Sequence, residues 1–266
     1  ELAGQPGNGQ FALSGDRSPQ RQIGGILALG LLEHFERLPM LAGLGQPDPE
    51  RFRAQWPVLF GARSAALLEA MVAAHDRAPL RPLADLVGSV LDGDLAHHDL
   101  ESHRQFAGRL DLYLRTRVRE RAIRALLPRS DALICGQGWD YLAAGGRARL
   151  LGSTDTAQVL DLAARARAGV NAVPPDYSCS ERVLEALALR TPVLTTPSAF
   201  LRESFGDSLR WFEDQAGLAA LLDSPDDAAT RDARLDQGRA QVLAGHTWAQ
   251  RAGVILDRLR QGEAEG

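Results

Sequence analysis

The hydrophobic period of the chain changes at Pro128, and this change restricts the folds that the chain can adopt. From Ile23 to about Leu127, apolar residues recur at spacings of three and four, a pattern that predicts helices. After Pro128, short β-like runs alternate with helical patterns and turn residues, which favours a parallel sheet flanked by helices. We therefore predict an α/β fold with a Rossmann-like sheet, preceded by an α-helical region.

The same pattern divides the chain into three segments. Residues 1–22 are rich in Gly, Gln, Ser and Pro and are expected to form an irregular lead-in. Residues 23–128 form the helical region, in which the longest helix is predicted from about Leu100 to Leu127, and residues 129–266 form the α/β domain. The predicted strands of that domain are Ala132 to Cys135, Ala148 to Leu151, Gly169 to Val173, Val193 to Thr195 and Leu209 to Phe212.

Composition excludes several classes of protein. The formal net charge of −4 argues against a nucleic-acid-binding protein, because such proteins usually carry a basic surplus that neutralises phosphates. Two cysteines do not make a disulfide framework, so we expect a protein of the reducing cytoplasm. No uncharged apolar run approaches about eighteen residues, so no transmembrane segment is expected.

Two glycines follow the first predicted strand of the α/β domain and form the first candidate site. In the run Cys135-Gly136-Gln137-Gly138-Trp139, the absence of a Cβ at both glycines would let the backbone approach a ligand phosphate. A dinucleotide-binding fingerprint would need a third glycine near position 141, where Tyr141 stands. A nicotinamide-binding oxidoreductase is therefore disfavoured, and a tight turn at a strand end is the alternative interpretation.

The second candidate site lies between two later predicted strands, in the run from Ser178 to Ala188. Ser178 with Glu181 fits a capping box, which would place a helix N-terminus beyond the carboxyl end of a strand, where open α/β sheets bind ligands. Arg182 supplies planar donors for phosphate oxygens, and Glu185 can accept hydrogen bonds from vicinal hydroxyl groups. The alternative is an amphipathic helix with solvent-exposed charges.

Other chemistry finds little support in the sequence. His97, His98 and His103 do not follow a standard zinc spacing and are interpreted as surface residues, so no metal site is expected. Neither a nucleophile-elbow motif nor a Walker loop occurs, which argues against a serine hydrolase and a P-loop enzyme.

Taken in order, these motifs resemble a known family. Gly136 to Trp139, then Glu181 to Ala188, then Thr191 to Thr195 look like the C-terminal domain of bacterial GT-B glycosyltransferases, and most of all like the CgeB-like members of the group 1 glycosyltransferases. The resemblance covers roughly residues 130 to 260. It implies a glycosyltransferase of hexosyltransferase type, with a nucleotide-diphosphate sugar as substrate and no cofactor or metal.

The resemblance also implies roles for particular residues. Glu185 would contact the ribose of the donor, while the diphosphate would lie between the glycine loop (Gly136, Gln137, Gly138 and Trp139) and the helix start with Ser180 and Arg182. Asp176 and Tyr177 are candidate sugar contacts, and Tyr177 stands where many retaining relatives carry a second glutamate. A UDP-sugar is the donor that the family favours. The catalytic residue and the acceptor, whether a glycan, a protein or a small molecule, stay unassigned.

Two functions follow as hypotheses. In the first, the chain is the donor-binding component of a glycosyltransferase and only part of the full enzyme, because the acceptor domain of the family has no counterpart in residues 23–127. In the second, it is a catalytically silent nucleotide-sugar-binding or scaffold module.

Overall fold

The structure is a computed structural model that describes residues 26–28, 48–79, 81–91, 100–142, 145–175 and 179–264. Six parallel strands form one sheet in the spatial order β3-β2-β1-β4-β5-β6. The strands are β1 (Ile26–Ala28), β2 (Ala132–Cys135), β3 (Arg149–Gly152), β4 (Ala168–Asn171), β5 (Val193–Thr195) and β6 (Arg210–Trp211). This is the strand order of doubly wound dinucleotide-binding sheets, so the predicted fold class is confirmed.

The central strand β1 corrects one prediction. The spacing of Ile26, Leu29 and Leu32 predicted a helix, but residues 26–28 are a strand in which Ile26 pairs with both Ala132 and Ala168. The sequences of parallel strands typically read as continuous apolar runs, which periodicity does not distinguish from a buried helix. The described helices before β2 consequently lie in the crossover between the adjacent strands β1 and β2.

Five helices make up the described part of this crossover: α1 (Pro49–Ala54), α2 (Trp56–Phe60), α3 (Ala62–Arg77), α4 (Leu83–Leu91) and α5 (Leu100–Leu126). Their apolar residues form a core of their own, with Trp56, Leu68 and Tyr113 fully buried. Proline lies at the start of two short helices, since Pro49 opens α1 and Pro57 lies in the first turn of α2.

Helix α5 belongs to two cores. With 27 residues it is roughly 40 Å long. Its first half buries Phe106 and Leu110 in the core of the helical crossover, while Ala122 and Leu126 in its last turns pack into the core of the sheet. Helix α5 therefore connects the helical crossover to the sheet.

Six described helices follow β2 along the chain, and the first five of them contribute to the cores on the two faces of the sheet. They are α6 (Thr156–Arg165), α7 (Glu181–Ala188), α8 (Ala199–Phe205), α9 (Gln215–Asp223), α10 (Ala228–Gly245) and α11 (Trp248–Ala264). Successive residues of β2 point to opposite faces, with Ile134 in the core that holds α5 and α9, and Cys135 in the core that holds α6, α7 and α10. Within the described ranges, no helix is long and apolar enough to cross a membrane.

Candidate functional site

Both segments singled out in the sequence lie at the carboxyl edge of the sheet. The glycine loop, residues 136–139, directly follows β2, and α7 begins after β4. Strands β2 and β4 are parallel and separated only by β1, so their ends are roughly 10 Å apart. The boundary between β1 and β4 is the point where the strand order reverses, the position at which open α/β sheets bind ligands.

The glycine loop adopts a backbone conformation that favours glycine. Gly136 has φ +117° and Gly138 has φ +83°, both in the region where a side chain causes strain. The amide of Gly136 donates a 2.7 Å hydrogen bond to the carbonyl of Gly152 at the end of β3. The amide of Gly136 therefore already has an acceptor, and the next residue of the loop, Gln137, is exposed.

Trp139 contributes to packing at this loop. Its side chain is only 2% exposed and belongs to the core shared by the sheet and α5, so it packs the end of the loop against that core. Tyr141 stands where a dinucleotide-binding fingerprint would have its third glycine. Its hydroxyl donates a 3.1 Å hydrogen bond to Oε2 of Glu120 on α5. Burial, followed by the nearby Glu120 carboxylate, raises the pKa of Tyr141 well above its ordinary value, so the hydroxyl stays a donor.

The start of α7 differs from the predicted capping box. The N-cap is Ser180, so Glu181 is the first helical residue rather than the third, and the predicted box is wrong. Serines at positions 178 and 180 both fit the N-cap pattern. The helix that begins after Ser180 places its apolar residues on the buried face, and this packing selects Ser180 as the cap. The side chain of Ser180 makes no hydrogen bond to the helix. Ser178, Asp176 and Tyr177 lie outside the described residues.

Arg182 and Glu185 flank the buried face of α7. The helix buries Val183, Leu184, Ala186 and Leu187, while Arg182 and Glu185 are half-buried. Residues three apart lie on the same side of a helix, so the two charged groups border one surface. The structure thus places Ser180, Arg182 and Glu185 together on one element and the four residues of the glycine loop on another, at the same edge of the sheet.

A buried polar cluster at this edge was missed in the sequence. Asn171 is the last residue of β4 and is 1% exposed, and Thr195 is the last residue of β5 and is fully buried. The Asn171 side-chain amide donates to the Thr195 hydroxyl at 2.9 Å, and the hydroxyl of Thr196 donates to the carbonyl of Val173 at 2.6 Å. In the sequence, this cluster is indicated by Asn171, a single polar residue inside the apolar run from Gly169 to Val173.

Neither cysteine is activated as a nucleophile. Burial raises the pKa of the Cys135 thiol, against a smaller opposing effect of a hydrogen bond with Thr154. Burial likewise raises the pKa of Cys179 to about 11, although the charge of Arg251 opposes it. Both groups are thiols near neutral pH, and the reactive form of cysteine is the thiolate.

Two further features lie apart from the glycine loop and α7. A groove of about 540 Å³ between α1, α2 and α3 is lined by Glu50, Arg53 and Glu69 among others, and by no residue singled out in the sequence. Across the described ranges, no group of three or more His, Cys, Asp or Glu residues is placed to hold a metal ion.

Comparison with known families gives a match in the second half of the chain. The model of a family described as glycosyl transferase-like matches residues 115–257, which is more than half of the chain. The matched region runs from the second half of α5 into α11 and includes the glycine loop, the Asn171 cluster and α7. No curated protein matches the chain.

Proposed function

The chain belongs to the glycosyl transferase-like family, and from this premise we propose that it binds a nucleotide-diphosphate sugar at the carboxyl edge of its sheet and takes part in transfer of the sugar to an acceptor. The observation that supports the position of the site is the placement of two phosphate-suited segments at one edge. The glycine loop lies on one side of β1 and the start of α7 on the other, next to the reversal of strand order.

The diphosphate is proposed to lie between these two segments. The amides in the first turn of a helix have no carbonyl four residues earlier within that helix, and the helix dipole favours an anion there. In α7 the amide of Val183 donates to the carbonyl of Ser180 at 3.0 Å. Arg182 adds a fixed charge with paired donors, and the Ser180 hydroxyl, which does not cap the helix, is a further donor. The backbone of Gly136 to Gly138 would close the site from the other side.

Glu185 is proposed to bind the ribose. It lies one turn beyond Arg182 on the same side of α7, so a ligand whose diphosphate meets the helix start would extend its nucleoside along this side. An ionised carboxylate offers two acceptor oxygens, which suit two adjacent hydroxyl groups. Asp176 and Tyr177 precede this helix in the sequence and stay predictions for the sugar, and UDP is the proposed nucleoside diphosphate.

The chemical role of the site is stabilisation of the leaving group. As the bond between the sugar and the diphosphate breaks, negative charge accumulates on the departing phosphate. Amide donors and a guanidinium group fixed around that phosphate stabilise the charge more in the transition state than in the ground state, which lowers the barrier. Arg182 and the first turn of α7 would supply this stabilisation.

A binding screen tests the proposal. The melting temperature is measured with UDP, GDP, dTDP, CDP, NAD and buffer, because a ligand that binds only the folded state at about 100 times its Kd stabilises it by roughly 2.7 kcal/mol. We expect a shift with one nucleoside diphosphate that Glu185→Ala and Arg182→Ala lose. Glu213→Ala and Arg239→Ala, which alter exposed residues outside α7, are the matched controls and should keep the shift. Absence of any nucleoside diphosphate shift, or a shift with NAD alone, would refute the proposed site.

A silent nucleotide-sugar-binding module is the second candidate, favoured by Tyr177 in place of the glutamate of retaining relatives. The two candidates share the donor site and differ in turnover. Incubation of the chain with the matching nucleotide sugar, followed by ³¹P NMR, separates them. Slow release of the nucleoside diphosphate that Arg182→Ala abolishes supports the transferase, whereas binding with no release over days supports the module.

A further inference from the structure

Just after the glycine loop, Tyr141 is joined to α5 by a hydrogen bond between two side chains. The hydroxyl of Tyr141 donates to Oε2 of Glu120 at 3.1 Å. The other carboxylate oxygen, Oε1, accepts from Nε of Arg124 at 2.6 Å. Glu120 is only 7% exposed, so these partners satisfy a carboxylate that water reaches poorly, and an acceptor fixed on both oxygens has little freedom to turn.

The segment from Trp139 to Leu142 transmits this restraint to the loop. Its residues form a single turn in which the amide of Leu142 donates to the carbonyl of Trp139 at 2.9 Å. Both Trp139 and Leu142 are buried in the core that contains Ala122 and Leu126 of α5. The turn is therefore packed against α5 by its apolar side chains and oriented by the hydroxyl of Tyr141, which lies between them.

The loop itself is held at its two ends. Gly136 is fixed by its hydrogen bond to Gly152, and the turn after Gly138 is fixed by Glu120. Gln137 and Gly138 between them have no buried side chain, and glycine loses more backbone freedom on ordering than any other residue. The conformation of this short stretch consequently depends on the position of its two ends.

We infer that Glu120 is a positioning residue for the donor site: by holding Tyr141, it sets the conformation of the glycine loop, so that the helical crossover between β1 and β2 controls affinity for the diphosphate. This inference rests on the function proposed for the glycine loop. The charge of Asp48, which caps α1, also contributes to the raised pKa of Tyr141.

The test removes single hydroxyl groups. Tyr141→Phe deletes the donor to Glu120 and keeps the ring. Tyr113→Phe is the matched control, since Tyr113 lies on α5 in the core of the helical crossover, and its hydroxyl donates to Glu50 at 3.2 Å. Amide hydrogen exchange of residues 136–142 and the Kd of the nucleoside diphosphate identified in the screen are measured for both variants.

For Tyr141→Phe we expect faster exchange in residues 136–142 and a Kd weakened about tenfold, the factor that corresponds to one hydrogen bond to a charged group. Tyr113→Phe should change neither quantity, even if it lowers the melting temperature. Glu120→Gln, whose amide oxygen still accepts, should keep more of the affinity than Glu120→Ala. If the hydrogen bond between Tyr141 and Glu120 had only a structural role, Tyr141→Phe would lower the melting temperature without changing amide exchange in the loop or the Kd.

Unchanged loop exchange and unchanged Kd in Tyr141→Phe would overturn the inference. Equal effects of Tyr113→Phe and Tyr141→Phe on the loop would overturn it as well. If no nucleoside diphosphate binds the wild-type chain, the proposed function fails, and the inference about the diphosphate fails with it. The exchange data then decide separately whether Glu120 holds the loop.

Discussion

The side-chain amide of Asn171 donates a 2.9 Å hydrogen bond to the hydroxyl of Thr195 and so joins the carboxyl ends of the neighbouring strands β4 and β5. Thr195 donates onward to the carbonyl of Thr196 at 3.2 Å. The hydroxyl of Thr196 in turn accepts from the amide of Val173 at 3.0 Å. The chain that leaves β4 toward α7 therefore starts from a point fixed by side chains of the adjacent strand.

Substitutions at this pair should show coupling. Thr195→Val leaves the buried amide of Asn171 without its acceptor and should cost about 1–3 kcal/mol of unfolding free energy. Asn171→Leu should cost a similar amount for the reciprocal reason. Because the double variant removes both polar partners, its cost should be smaller than the sum of the two, by at least about 0.5 kcal/mol. Urea denaturation of all four proteins measures this difference, and strictly additive costs would show that the hydrogen bond contributes nothing.

Arg190 occupies a backbone conformation that usually belongs to glycine. It follows α7 with φ +60°, and the amides of Arg190 and Thr191 donate to the carbonyls of Leu187 and Ala186 at 3.0 and 2.8 Å. These two bonds define a Schellman termination, in which the left-handed residue is most often glycine. The arginine side chain forms an exposed ion pair with Asp236, a type of contact that stabilises little.

Two substitutions separate the backbone strain from the ion pair. Arg190→Ala removes the ion pair and keeps the strain, whereas Arg190→Gly removes both. The left-handed conformation costs a residue with a Cβ about 1–2 kcal/mol. The greater freedom of glycine in the unfolded chain offsets about 0.4–1 kcal/mol of this. We expect the glycine variant to be more stable than the alanine variant by about 1 kcal/mol, measured by urea denaturation, and equal stabilities would show that position 190 is unstrained.

His246 should make stability depend on pH. Its ring contacts the rings of Phe200 and Phe205, with centroids 5.7 and 5.0 Å away. Burial, and to a lesser degree the charge of Arg251, hold the pKa of His246 below its ordinary value of 6.5. The unfolded chain therefore binds this proton more readily than the native one, so stability is full above about pH 6.5 and falls as the pH drops below that value.

The variant His246→Gln isolates this contribution. Melting temperatures at about pH 7.5 and about pH 5.5, which span the ordinary histidine pKa, are compared for the two proteins. The wild-type protein should lose more stability between these pH values than the variant does. An equal loss in both proteins would assign the pH dependence to other groups.

The sequence predicted those strands that local patterns specify. The run from Val193 to Thr195 was predicted with the bounds that the structure has, because an apolar β-branched run lies between a proline and a turn. Strand β1 was missed because its pairing with β2 joins residues about a hundred positions apart, and three apolar residues carry no period. Because β1 belongs to the sheet, helices α1 to α5 lie in the crossover between two of its strands. The sequence pattern had placed these helices only before the sheet.

The candidate site was predictable in its residue types and less so in its geometry. The glycine loop and α7 were located by their order along the chain, but the N-cap of α7 depends on which of two serines fits the buried register. The burial of Trp139 and the contact between Tyr141 and Glu120 depend on the approach of α5, which sequence periodicity does not reveal. Asn171 was missed because a buried polar residue is recognised only once its partner on the next strand is known.

Gly238 fixes the distance between α10 and α7. A Cβ built at this position would lie 2.7 Å from Cδ2 of Leu187 and 3.2 Å from Cβ of Ser208, both closer than ordinary contact. Leu187 is fully buried two residues after Glu185, so a shift of its side chain would strain the packing of the helix that carries the proposed ribose contact. Overpacking of this kind costs about 1–3 kcal/mol, more than the 0.5–1 kcal/mol that alanine gains over glycine inside a helix.

Gly238→Ala should therefore destabilise the protein by about 1 kcal/mol. The matched control is Gly253→Ala in α11, where the added Cβ meets nothing within 4 Å and should stabilise by about 0.5–1 kcal/mol. Urea denaturation compares the two variants, and a second substitution, Leu187→Val, should recover part of the loss only in the Gly238→Ala background. If Gly238→Ala were as stabilising as Gly253→Ala, Leu187 could move aside without cost, and α10 would not constrain the position of α7.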